Sequence, residues 1–122
     1  MFGWGRPTPI AEHAAEGKVE QVYHEIRQTL RVTGVNLNFR TWASFDGFLP
    51  ALWDAFRPNA GTRGFEDAAD IVRAEAATAT CRLGSVSARD AGLGDSQLYQ
   101  IRAALDLYHY VNPKLLVLTA AT

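Results

Sequence analysis

Between Lys18 and about Val32, the apolar residues Val19, Val22, Tyr23, Ile26 and Leu30 return at intervals of three and four, with Glu20, Gln21, Glu25, Arg27 and Gln28 between them. That is the period of a helix with one buried stripe, and its polar residues are expected mostly to face water. Gly, Pro and Asn cut the rest of the chain into short pieces that also show helical rather than alternating spacing. The expected fold is therefore all-α, a compact multi-helix bundle. At 122 residues, 48% of them hydrophobic, one core suffices without metals or disulfides. No linker, internal repeat or low-complexity run divides the chain, so residues 1–122 are expected to form a single all-helical domain of six or seven helices.

The punctuation sets the expected boundaries. Pro7 and Pro9 ahead of "IAEHAAEG" predict a short first helix stopped at Gly17. Gly34 ends the stripe described above, and Asn36 or Asn38 stands where the next helix begins. Asparagine suits that position because its side-chain oxygen accepts a bond from an unpaired backbone N–H. This helix runs through Phe39, Trp42 and Ala43. After Gly47 another carries Leu49, Leu52, Trp53 and Phe56 and stops near Pro58, leaving "RPNAGT" as a surface connection. Thr62 is placed to cap a helix to about Thr80, with Phe65, Ala69, Val72 and Ala76 on one face. "GSVSARDAGLGD" reads as loop with at most a turn of helix. Asp95 or Ser96 then caps a helix that buries Leu98, Ile101, Leu105 and Tyr108, and the pair Asn112-Pro113 suits the cap and first residue of a final helix.

Charge and cysteine content exclude several function classes. Twelve basic and thirteen acidic residues leave a net charge of -1 without charged runs, so neither nucleic acid nor an anionic membrane is an expected partner. The longest late apolar run, "KLLVLTAAT", is too short to span a bilayer, and the first residues lack a basic segment followed by an unbroken apolar one. Cytoplasm is the expected compartment. One cysteine, Cys81, allows no internal disulfide, zinc quartet or redox pair, and a buried, inert thiol is expected. The missing cysteine pair also argues against a thiol peroxidase. His13 and His24 have no partner at metal-ligand spacing, and no phosphate loop or nucleophile elbow is present. No metal or other cofactor is expected.

Two polar clusters interrupt apolar surroundings: Asn36, Asn38 and Arg40 in the first, Tyr108, His109, Tyr110 and Asn112 in the second. Both fall at expected helix starts, where unpaired N–H groups and the positive end of the helix dipole favour an anion such as a small carboxylate. The plainer reading makes the asparagines caps and pairs Arg40 with an acidic neighbour. His109 invites a general-base reading because imidazole is the usual side chain for that role, but a histidine between two tyrosines is more often a packing or surface group. Trp53 and Phe56 share a helical face and belong to the core. Trp42, two positions after Arg40, either packs there or forms a ligand's apolar wall, and Trp4 is either exposed or covered by a partner chain.

In order and spacing, "VYHEIRQTLRV", "VNLNFRTWAS", "FLPALWDAFRP" and "YHYVNPK" resemble the repeat unit of the group I 2-haloacid dehalogenases, which accept both enantiomers of 2-haloalkanoic acids. The resemblance covers roughly Pro9 to Ala120. It implies an all-helical fold in which two such repeats in one chain pack as a pseudo-dimer. This chain carries one, so a homodimer is the implied assembly. The implied chemistry is hydrolytic and free of cofactors: an aspartate activates a water that attacks C2 directly, expelling halide with inversion.

In the aligned segment the aspartate's position is Asn38, and an amide takes no proton at neutral pH, although it can orient a water. By resemblance Asn112 is the pocket asparagine that holds the water or the substrate. Asn36, Asn38, Phe39 and Trp42 would line the cavity, Tyr108 and His109 would face the substrate, and Arg40 would bind an anion or a structural carboxylate such as Asp46 or Asp54. Asp46 and Glu25 are the fallback bases. Two functions from different classes remain: a hydrolase acting on a small carboxylic acid with a leaving group, and a helical homodimer that binds such an acid without turnover. A ligand-free scaffold would account for the helices but not for the polar clusters.

Overall fold

The computed structural model describes residues 5–121, so the expectation for Trp4 lies outside the described residues. Among these residues there are no strands, the all-α class that the spacing predicts, but five α-helices and two short 3-10 turns in place of six or seven helices. They fall into two compact units, one through Thr62 and one from Arg63.

The first unit contains α1 (Gly17–Leu30), α2 (Leu37–Trp42) and α3 (Phe48–Ala60). Both α1 and α2 pack against α3. Val22, Tyr23, Ile26 and Leu30 of the α1 stripe are fully buried, as are Leu49 and Trp53 of α3. Burial of a large apolar side chain contributes roughly 1.5–3 kcal/mol, so this seam dominates the unit. Val19 is only half-buried, at the end of the stripe, and so is Phe56.

Several boundaries differ from expectation for identifiable reasons. The first expected helix is only a 3-10 turn, Glu12–Ala14. The residues before it are held extended, because the Ile10 N–H donates to the Arg40 carbonyl at 3.0 Å and the Ile10 carbonyl accepts the Tyr23 hydroxyl at 2.8 Å. Gly17, at φ +56°, opens α1 rather than closing a helix before it. α1 ends at Leu30, not Val32: Arg31 takes the left-handed conformation, and the Val32 N–H returns to the Arg27 carbonyl at 3.0 Å. That is a Schellman closure with arginine in the place glycine usually takes. α3 continues past Pro58 to Ala60, so most of "RPNAGT" is helix. The N–H missing from Pro58 deprives only the carbonyl of Asp54, an exposed residue that water can serve.

The second unit pairs α4 (Arg63–Thr80) with α5 (Asp95–Ala120). Glu66 meets Lys114 and Arg73 meets His109, so the helices run antiparallel. α5 is capped by neither Asp95 nor Ser96. Gly94 occupies the cap, and its N–H donates to the Gln97 side chain at 3.0 Å. The expected break at Asn112 and Pro113 is absent, since both lie inside one continuous helix of 26 residues. The buried face of α5 is correspondingly different. Val111, Pro113, Lys114 and Leu118 are buried, whereas Ile101, Leu105 and Tyr108 are 40%, 59% and 56% exposed. On α4, Phe65 and Ala69 are buried, Val72 is half-buried and Ala76 is exposed. The short alanine side chains of the second half of α4 leave the first half of α5 uncovered. Cys81, in the 3-10 turn that follows α4, is exposed and not the buried thiol expected. No described helix is long and apolar enough to cross a membrane.

Candidate functional site

The first polar cluster lies on α2. Asn36 holds the N-cap position with extended backbone, but its side chain makes no capping bond; its carbonyl accepts the Arg40 N–H at 3.2 Å. Asn38 lies one residue inside the helix, and its Oδ1 is buried without a hydrogen-bond partner. A buried acceptor left unpaired costs about 1–3 kcal/mol, so this oxygen is a ready acceptor for a water or another O–H donor. Phe39 is fully buried. Trp42 is half-buried and meets Phe39 edge-on at 5.6 Å and Phe48 at 6.5 Å. Arg40 is half-buried and directs its Nε to the Val35 carbonyl at 3.0 Å. Among the described residues it forms no ion pair, with Asp46, Asp54 or any other carboxylate.

Glu25, a fallback base, is committed elsewhere. Its side chain is 16% exposed and accepts the Trp53 indole N–H at 3.0 Å, Arg57 at 3.2 Å and the Gln21 amide at 3.1 Å. Burial pushes its carboxyl upward, but the bonds from Trp53 and Gln21 and the charges of Arg57 and Lys18 outweigh that and hold its pKa below the usual glutamate value. A carboxylate so stabilised as an anion is a poor proton acceptor. Asp46 is exposed in the turn between α2 and α3.

The second cluster borders an open groove of about 750 Å³ between α4 and α5. Val72, Ala76, Leu105, Pro113 and Leu116 give it apolar walls; Thr80, Asp106, Tyr108, His109 and Asn112 supply its polar groups. Asn112 lies one helical turn beyond both Tyr108 and His109, at i+4 and i+3, and all three border the groove. Asp106 was missed in the sequence. The available signal was its place three residues before His109, which puts a carboxylate and an imidazole on one helix face.

Lys114 was missed too. Its side chain is 1% exposed, with Nζ 3.0 Å from Glu66 Oε1, 3.0 Å from the Tyr110 hydroxyl and 4.4 Å from the centre of the Tyr110 ring. This pairing fixes the register of α4 against α5 beside the groove. Among the described residues, no group of three or more His, Cys, Asp or Glu side chains is placed to hold a metal ion.

The described residues thus form an all-α chain, with a polar-edged apolar groove along one antiparallel helix pair and, separately, an unpaired buried amide oxygen on α2. The chain belongs to the family described as halocarboxylic acid dehydrogenase DehI, whose family model matches residues 33–122. It is 36% identical over 118 residues to a configuration-inverting 2-haloacid dehalogenase of Pseudomonas sp. (strain 113), a match covering 92% of this chain and 37% of that protein. A second configuration-inverting 2-haloacid dehalogenase, from Alcaligenes xylosoxydans xylosoxydans, is 36% identical over 114 residues, covering 92% of this chain and 38% of the relative. An (R)-2-haloacid dehalogenase of Pseudomonas putida is 30% identical over 123 residues, covering 93% and 39%. The chain thus spans about two-fifths of the length of these curated relatives. No solved structure matches it.

Proposed function

We propose that this chain takes part in removing halide from small 2-halocarboxylic acids by direct attack of water, in the group I manner that accepts both enantiomers and uses no cofactor. The groove between α4 and α5 carries the reading: donors at Tyr108, His109 and Asn112 stand over an apolar wall, a combination that suits a carboxylate joined to an apolar carbon and a halogen. Family membership and the names of the relatives support it. In the reaction, water oxygen bonds to C2, the carbon–halogen bond breaks with its electron pair leaving on the halide, and the water's proton passes to a base. Asn112 holds the water or the substrate at the groove; in the first unit, the unpaired oxygen of Asn38 is an acceptor open to an O–H donor. Phe39 and Trp42 support the Asn38 segment, Asn36 begins it, and Arg40 holds its backbone. The amide at position 38 leaves the base to another group, and Asp106 and His109 supply a carboxylate and an imidazole at the groove.

The working assembly is proposed to be two copies of a single repeat. The exposed apolar residues of α5 outside the groove, among them Tyr99 and Leu107 at 77% and 50% exposure, support a covering partner. A cytoplasmic setting suits a lone exposed thiol. Incubation with each enantiomer of 2-chloropropionate, with free halide followed over time, tests the activity, and light scattering on an eluting size-exclusion peak tests the dimer. Release from both enantiomers is expected, and N38D is expected to raise its rate. A second reading, binding of small acids without turnover, is favoured by the amide at position 38, which cannot act as a base. Calorimetric binding of 2-chloropropionate without halide release from either the unmodified chain or N38D would establish that reading and overturn the hydrolase.

A further inference from the structure

Arg73 is on α4 with its side chain 19% exposed, and all three guanidinium nitrogens have partners. Nε donates to the His109 carbonyl at 2.9 Å and Nη2 to the Tyr110 carbonyl at 2.8 Å, while Nη1 pairs with Asp70. The two carbonyls belong to consecutive residues deep inside α5, where each is normally served by the N–H four residues onward. For His109 that residue is Pro113, which has no N–H and whose ring crowds the same carbonyl. Helix α5 nevertheless continues for seven residues beyond Pro113, to Ala120. The missing donor is supplied from the neighbouring helix.

We infer that Arg73 is a positioning residue: it replaces the backbone hydrogen bond that Pro113 removes and so sets the orientation of the turn that carries Tyr108, His109 and Asn112 to the groove. Arginine suits this role because its planar fork reaches two adjacent acceptors at once and stays charged, whereas lysine offers a point charge on a flexible stem. The Asp70 carboxylate steadies the fork, and the Tyr110 ring lies 5.8 Å from the guanidinium carbon. A functional role for this arrangement rests on the groove being the substrate site. The pairing of Arg73 with the defect at Pro113 does not.

A double-mutant cycle between Arg73→Met and Pro113→Ala separates the two. With Pro113 in place, R73M is expected to lower the folding equilibrium constant about tenfold or more, the worth of a hydrogen bond to a charged group. In the P113A background the backbone N–H at 113 is restored, and the same change is expected to cost about threefold or less. Equal costs in the two backgrounds overturn the inference. In folded R73M the side-chain amide resonances of Asn112 should shift, and in R73M/P113A they should return toward their original positions. Unchanged resonances in R73M also overturn it. If R73M fails to fold, R73K takes its place in the cycle with the same criteria. Where 2-chloropropionate turnover is measurable, kcat/KM should fall with R73M and recover partly with P113A added. Absence of turnover in the unmodified chain counts against the hydrolase alone, and the cycle still decides the role of Arg73.

Discussion

A carboxylate that accepts a buried indole N–H contributes most when ionised, and Glu25 is in that position against Trp53. Its folded-state pKa lies below its unfolded value, so its contribution is complete above the unfolded value and is lost as pH falls through the folded one. Urea unfolding at neutral pH, followed by tryptophan fluorescence, should find E25Q less stable by about 1–2 kcal/mol, and the difference should vanish in acid. Equal stability of the two proteins at neutral pH would refute the role. Gly47 gives a cleaner backbone case. It takes φ +68°, and a Cβ there would meet no atom within 4 Å, so G47A should cost about 1 kcal/mol through conformation alone. Glycine before "FLPALW" was legible as a boundary because its effect is local. Glu25 was not, since its partner lies 28 residues away and helical spacing assigns it to water. The same limit applies to Asn38: the sequence marks its amide as a helix-start residue, but only packing leaves its oxygen unpaired.

At the level of elements, the stripe of α1 was readable because one long face meets one partner, α3, and the spacing contains that information. The prolines misled for the opposite reason. Pro58 and Pro113 each remove one donor, and whether the helix survives depends on what then serves the deprived carbonyl: solvent near the end of α3, Arg73 in the middle of α5. The buried face of α5 was also out of reach, because it is chosen by Lys114 as much as by apolar residues. Lys114 and Glu66 form a testable pair between α4 and α5. K114M alone leaves Glu66 partly buried without its cation and should destabilise the protein by roughly 3 kcal/mol, whereas K114M/E66M should recover most of that loss. Chemical denaturation of the three variants measures both values, and an additive double variant would show that the two side chains do not act together.

For the whole molecule, residues 1–122 are proposed to unfold as one domain despite the two compact units. The positions of the tryptophans allow a direct check. Trp4, Trp42 and Trp53 all precede Arg63, so fluorescence reports the first unit, whereas far-ultraviolet circular dichroism is sensitive to α4 and α5 as well. Coincident thermal transitions are expected; a dichroism change that continues after fluorescence has finished would mean separate domains. The all-α class was legible throughout because helical spacing is repeated in every segment, whereas the two-unit division was not, since it depends on which helices pack together. The exposed thiol after α4 offers a way to observe the assembly. With one cysteine per chain, a nitroxide attached at Cys81 marks each copy at a single point. A paired assembly then returns a dipolar separation between equivalent sites, and an isolated chain returns none.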